Sequence, residues 1–262
     1  MATQIKIAAY KLYTWALRAI KFDFVGPKGR HWLKMAMPHV EKRINENQNY
    51  RGSALPTLET GGRRCFIVGS GPSAQKTYDF DRADFFIFLN KSIILNERLN
   101  VANYALLVSD QSAIEELVKT KPDLSGGHIF AAVRLDVSSL SSKTPFRFRI
   151  WHRPYMYDGF FETNLQKPLY PCHTVAAYAL QIAAGLGFKS INLVGIDLDF
   201  SKADPHFYES SKGELARAEN SRRRQALMVQ GLLYGCAHLE STLNISVYTN
   251  SENRALSELK RF

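Results

Sequence analysis

The stretch that most constrains this chain is Arg64-Cys65-Phe66-Ile67-Val68-Gly69-Ser70-Gly71-Pro72-Ser73-Ala74. An apolar run enters a glycine turn directly, the pattern by which a buried parallel strand passes into a ligand-facing loop and then a helix. Gly69 and Gly71 permit a tight turn and close approach of backbone to ligand. The helix expected after them offers unpaired N–H groups and a positive dipole end. An anionic ligand, with a nucleotide in first place, is the matching expectation, and a purely structural turn is the competing one. A nicotinamide oxidoreductase fits less well. Its loop wants a third glycine where this chain has Ala74, and an acidic residue where the apolar run Phe85-Phe86-Ile87-Phe88-Leu89 ends in Asn90.

Downstream of residue 60 the chain alternates strand and helix patterns. Strands are predicted at 66–68, 85–89, 104–109, 128–133, 191–194 and 243–248, and helices at 111–119, 174–185 and 214–240. The fold class is therefore α/β, a Rossmann-like, mainly parallel sheet covered by helices, with ligands bound beyond the C-terminal strand ends. Polar residues stand at those ends: Gly69 to Ser73, Asn90, Ser109 with Asp110, Gly195 with Asp197, and the Thr249-Asn250-Ser251 run. Each is singly a turn former or helix cap; converging on one edge they point to a site.

The chain has 262 residues, 45% of them hydrophobic, enough for a large α/β body with an appendage. Cys65, Cys172 and Cys236 are few and widely spaced, so no disulfide framework or metal cluster follows and a reducing compartment fits best. A net charge of +10 suits a polyanionic partner. No basic and aromatic pattern of a nucleic-acid module accompanies it, so a membrane or phosphorylated glycan ranks above RNA or DNA. Residues 1–24 place Ile5, Ala8, Leu12, Ala16 and Ile20 at helical spacing among Lys6, Lys11, Arg18 and Lys21. Such a helix suits a membrane interface or the body of the protein, and is too interrupted by charge to span a bilayer. The division expected is a basic N-terminal segment with linker, 1–60, and a Rossmann-like domain, 61–262, carrying a short lid near 198–213.

The segment Cys172-His173-Thr174 to Gly195-Ile196-Asp197 reads as a capped helix, a glycine stop at Gly187 and a strand ending in Gly-Ile-Asp. With the Gly-Ser-Gly-Pro-Ser turn and Asn90, it resembles the bacterial CMP-sialic-acid-dependent sialyltransferases of glycosyltransferase family 42. It is similar at least as much to the lipopolysaccharide-core Kdo transferases, through the Cys172-x-Thr174 helix and the Phe207-Tyr208 pair. The resemblance spans roughly 64–250 and implies a single-domain, GT-A-like glycosyltransferase using a CMP-activated 2-keto-3-deoxy acid. It implies that Gly69, Ser70, Gly71, Pro72 and Ser73 form the CMP phosphate and ribose loop. Asn90, Thr174 and Asp197 would then contact nucleotide or donor sugar, and Asp110 and Gly195 are added to that set from their places at strand ends. It also implies an inverting, metal-independent reaction without a cofactor, and no Asp-x-Asp pair is assigned to a metal.

Chemistry of this kind needs a base for the acceptor hydroxyl and a donor to the leaving phosphate. The resemblance implies a histidine base on a lid after the Gly-Ile-Asp strand, for which His206 is the nearest candidate, and a tyrosine at the leaving phosphate, for which Tyr208 is the candidate; His173 and His152 are in reserve and His238 is expected in a helix. Asp199 stands where the sialyltransferases carry a tyrosine, and the 197–206 segment is shorter than their lid. Arg149 and Arg153, beside Arg147, His152, Phe146, Phe148 and Trp151, are candidates for acceptor phosphate or donor carboxylate; exposed surface basicity is the other account. The expected activity is transfer of Kdo to the lipopolysaccharide inner core, a lipid A-core acceptor, by a cytoplasmic protein peripheral on the inner membrane. A sialyltransferase on a surface glycan and a non-catalytic nucleotide-binding scaffold are the alternatives.

Overall fold

A computed structural model describes residues 58, 60–76, 78–140, 143–150, 161–170, 173–200 and 205–262. The chain divides into Met1–Gln48 and Asn49–Phe262, and every described residue lies in the second unit. The helix expected at 1–24, the basic segment after it, the linker up to residue 57, Trp151, His152, Arg153 and Cys172 fall outside the described residues.

Among the described residues eight strands form one parallel sheet: β1 (Arg64–Val68), β2 (Phe85–Leu89), β3 (Tyr104–Val108), β4 (His128–Ala132), β5 (Phe146–Phe148), β6 (Ser190–Val194), β7 (Ser246–Thr249) and β8 (Lys260–Arg261). Their order is β5-β4-β3-β2-β1-β6-β7-β8. The chain walks outward from β1 through β5, returns to the other side of β1 as β6, and walks outward again. Because parallel crossovers are right-handed, this reversal opens a crevice between the loops that follow β1 and β6.

The strands read as continuous apolar runs because both faces of the sheet are covered. Every residue of β2 and β3 is buried, as are Cys65 to Val68 of β1. Register is fixed at the strand starts by an ion pair: the Arg64 side chain donates to Asp84 Oδ2 at 2.7 Å and its backbone N–H to Asp84 Oδ1 at 3.2 Å. Burial pushes the Cys65 and Cys236 thiols far above their usual range, which leaves both as inert core groups.

Among the described residues five helices accompany the sheet: α1 (Asn96–Leu99), α2 (Gln111–Thr120), α3 (Val175–Gly185), α4 (Lys212–Arg222) and α5 (Gln225–Leu243). Thr174 caps α3 as the sequence predicts, and Gly187, at φ +100°, ends it. Helix α3 packs over β1 and β2 and against α5.

Four expectations are corrected. The Gly69–Ser73 loop leads into a short 3-10 turn, Pro72–Gln75, and not a helix. Asn250 Nδ2 donates to Ser73 O at 2.9 Å, occupying a carbonyl that a continuing helix would use. The single helix expected at 214–240 is two, broken at Arg223 and Arg224, where the Arg224 N–H turns to Ser221 O at 2.9 Å; three successive arginines carry no apolar phase by which the sequence would show the break. The last predicted strand, 243–248, starts later, since α5 runs to Leu243 and Asn244 closes it in the left-handed region at φ 53°. Strand β5 lies inside what the sequence presents as a basic cluster: Phe146 and Phe148 face inward and Arg147 alternates with them.

Loop 161–170 is stapled to α3 by a fully buried amide. Gln181 Oε1 accepts from the N–H groups of Glu162 (3.1 Å) and Tyr170 (2.9 Å), while its Nε2 donates to Tyr170 O (2.8 Å) and Ala177 O (2.9 Å). Gln181→Leu, similar in size, leaves two backbone N–H groups unpaired and is expected to lower stability by about 2–4 kcal/mol in urea unfolding. A loss under about 0.5 kcal/mol would show that the staple is dispensable.

Candidate functional site

The loops after β1 and β6 cross at van der Waals distance. Gly69 N–H donates to Val194 O at 2.7 Å and Gly71 N–H to Gly195 O at 2.8 Å. A Cβ on Gly69 would stand 2.5 Å from Gly195 O, and one on Gly195 would stand 2.5 Å from Ala74 Cβ. Gly195 also sits at φ +64°, a conformation that suits glycine. The glycines therefore let the two loops meet.

Asp197 and Asn250 lock this crossing. Asp197 Oδ2 accepts the Ser73 N–H at 2.9 Å, so the carboxylate itself fills the start of the 3-10 turn. Asn250 Oδ1 accepts from Gly195 N–H at 3.2 Å and from Ser73 Oγ at 3.2 Å. The sequence contains two Asp-x-Asp spacings, Asp197-Leu198-Asp199 and Asp79-Phe80-Asp81. Among the described residues no group of three or more His, Cys, Asp or Glu side chains is placed to hold a metal.

In front of the crossing lies a cleft of about 490 Å³, lined by Ser70, Asn90, Lys91, Asp110, His206, Tyr208, Glu214 and Arg224 among others. Its size falls in the range of small-molecule sites. Ser70 Oγ lies 2.9 Å from His206 Nδ1, and the imidazole stacks on the Tyr208 ring with centroids 5.2 Å apart. Asn90, immediately after β2, takes φ 53°, and its buried Oδ1 has no hydrogen-bond partner among the described residues. Asp110 caps α2, accepting from Ala113 N–H at 3.0 Å.

One wall is an electrostatic network around Glu214. Ser211 and Glu214 form a reciprocal capping box at the start of α4, with Ser211 N–H donating to Glu214 Oε2 at 2.8 Å. The Tyr208 hydroxyl donates to Glu214 Oε1 at 3.0 Å, and Lys91 Nζ approaches Oε2 at 3.4 Å while lying 4.4 Å over the Tyr208 ring. Burial pushes the Glu214 carboxyl up, but the Ser211 N–H, the Tyr208 hydroxyl and the Lys91 ammonium outweigh it and hold the group below the usual glutamate range.

The structure thus gathers Ser70, Asn90, Asp110, His206 and Tyr208 in one cleft, with the Gly69, Gly71, Gly195 and Asp197 crossing behind it. Thr174 serves as the cap of α3, its Oγ1 accepting from Ala176 N–H at 3.3 Å. Arg149 does not line the cleft; its side chain donates to Gln166 O. His173 is exposed at φ 59°, and His238 packs on the Phe161 ring at 5.8 Å. Lys91, Glu214 and Arg224 were missed as cleft residues. The Ser211-Lys212-Gly213-Glu214 spacing is a capping-box signature and was the available signal for Glu214.

No protein-family profile and no curated protein sequence matches the chain. Among solved structures it is similar to the sialyltransferase CstII from Campylobacter jejuni in complex with the substrate analogue CMP-3FNeuAc. That match has a TM-score of 0.42 at 15% identity and covers 76% of this chain and 86% of that one. The MAf glycosyltransferase from Magnetospirillum magneticum AMB-1 gives a TM-score of 0.46 at 14% identity, over 81% of this chain and 36% of the other. The monofunctional alpha-2,3-sialyltransferase Cst-I from Campylobacter jejuni gives 0.36 at 13% identity, over 80% and 84%.

The lowered Glu214 carboxyl makes a pH-dependent contribution with a defined sign. Its stabilisation is present above the unfolded glutamate value and is lost as pH falls through the lowered folded one. Glu214→Gln is expected to be about 1–2 kcal/mol less stable than the parent at neutral pH, with the gap closing in acid. Parallel urea titrations across pH measure this; a gap that stays constant into acid would refute the charged role.

Proposed function

We propose that the cleft binds a CMP-activated 2-keto-3-deoxy sugar acid and transfers the sugar to a glycan hydroxyl with inversion, using no metal and no cofactor. The observation that carries this reading is Asn90. A buried acceptor oxygen without a partner among the described residues, on a residue that lines the cleft with His206 and Tyr208, is completed by an N–H or O–H of a ligand. In the transfer, the acceptor oxygen attacks the anomeric carbon and loses its proton to His206. The bond from that carbon to the phosphate oxygen breaks, and CMP leaves with the electron pair.

Supporting roles follow within this reading. The Gly71 and Ser73 N–H groups are already engaged by Gly195 O and Asp197 Oδ2, so charge on the leaving phosphate falls to Ser70, Lys91 and Tyr208. Tyr208 then exchanges its bond to Glu214 for one to the phosphate. Kdo is preferred over sialic acid because the Cys172-x-Thr174 helix and the Phe207-Tyr208 pair match the core-transferase pattern. The motifs common to both families keep a sialic acid donor as the second reading. A lipid A-core acceptor at the cytoplasmic face of the inner membrane suits the +10 charge and the basic pattern of residues 1–24. Among the described residues no helix is long and apolar enough to cross a membrane.

Thermal-shift titration with CMP, CDP, UDP, GDP and NAD tests the donor class. CMP at about 100-fold its Kd is expected to stabilise the protein by about 2.7 kcal/mol. Asn90→Gly removes the amide while tolerating the positive φ, and is expected to weaken CMP about tenfold. Stabilisation by UDP or NAD in place of CMP would overturn the assignment. A second measurement concerns the membrane: deletion of residues 1–24 is expected to release the protein from anionic liposomes while CMP stabilisation persists. Unchanged sedimentation with liposomes would refute that role.

A further inference from the structure

The segment bearing the candidate base is tied to the β1 loop at three points. Phe207 N–H donates to Ser70 O at 2.9 Å, the Gln75 side-chain amide donates to Phe207 O at 2.9 Å, and Ser70 Oγ meets His206 Nδ1 at 2.9 Å. The first two fix the backbone next to His206, and stacking on Tyr208 with an interplanar angle of 15° sets the ring plane. Ser70 is thereby held against one particular nitrogen of the imidazole.

A neutral imidazole carries its proton on one nitrogen and a lone pair on the other. If the Ser70 hydroxyl donates to Nδ1, the ring proton sits on Nε2, which then cannot accept another. If Ser70 Oγ accepts from Nδ1–H, the lone pair is on Nε2, the form able to take a proton from a hydroxyl there. The serine has a single proton to donate, and an anion beside its loop competes for it with charge-assisted strength.

We propose that Ser70 is a positioning residue that couples the tautomer of His206 to occupancy of the donor phosphate. With phosphate accepting Ser70 Oγ–H, the hydroxyl oxygen accepts His206 Nδ1–H and Nε2 becomes the basic nitrogen. The ring proton leaves Nε2 and reaches Nδ1 by exchange with water, so the net proton count of the ring is unchanged. The base is armed when the donor is in place. Among the described residues, Lys91, Asp110, Glu116, Glu214 and Arg224 are the charged groups lining the same cleft, and Tyr208 covers the ring face. A nucleophilic role for Ser70 fits less well, because the Gly71 and Ser73 N–H groups that would receive an oxyanion are already bonded.

The inference rests on the donor reading of the cleft, and one experiment separates the two. The full-length protein, labelled with 15N-histidine, is followed by two-bond 1H–15N correlation spectra with and without CMP, with thermal shift recording CMP binding in parallel. His206, assigned by comparison with His206→Asn, is expected to move to the Nδ1–H pattern as CMP saturates. Ser70→Ala, at CMP concentrations that still saturate it, is expected to show no such change, and Ser70→Thr, which keeps the hydroxyl, to restore it. CMP binding without a tautomer change in the parent protein, or the same change in Ser70→Ala, overturns the inference and leaves the donor reading standing. No CMP binding in any variant removes the donor reading and the inference with it.

Discussion

The crossing of the β1 and β6 loops is the constraint on which the site depends. Two strands paired along their length deliver Gly69 and Gly195 to the same place, and each loop occupies the space where a side chain of the other would stand. Asp197 and Asn250 then tie the crossing through Ser73, converting close approach into fixed geometry. The Gly69, Gly71 and Ser73 N–H groups, which a glycine loop ordinarily turns toward a ligand, are here spent on holding the loops together. The cleft in front of the crossing is consequently lined by side chains: Ser70, Asn90 and Lys91 from the first half of the sheet, His206 and Tyr208 from the segment that follows β6.

That segment is held from two directions. On one side Ser70 and Gln75 bind its backbone; on the other, Tyr208 reaches the Glu214 carboxylate that also closes the capping box of α4 and faces Lys91. One carboxylate thus joins a helix start, an aromatic wall of the cleft and a strand-end cation. Three favourable partners offset its desolvation, which is why the group stays charged in a position where its side chain is only 7% exposed.

The sheet was legible in the sequence because its strands are apolar on both faces, a pattern that survives without any partner in view. Five of the six strands the sequence offered, 66–68 to 191–194, stand within about a residue or two of their structural limits, as element boundaries usually do. Cap chemistry was legible for the same local reason: Thr174 and Gly187 mark the ends of α3 unaided. What escaped depended on tertiary partners. The turn after Gly71 is short because of Asp197 and Asn250, more than a hundred positions away. Lys91 reads as a solvated lysine until Glu214 is brought beside it. Strand β5 is hidden by its arginine, since its two phenylalanines make too short an alternation to stand out from the basic residues around them.

The order of the strands also sets a timetable. Strands β1 to β5 pair with neighbours that follow closely in sequence, whereas β1 meets β6 across most of the described chain. Closing that long loop carries a large entropic cost before any contact rewards it, so β1–β6 pairing belongs among the slow events of assembly. The glycine crossing exists only after that pairing. A newly made chain therefore acquires its sheet progressively, and the cleft in front of the crossing takes shape late.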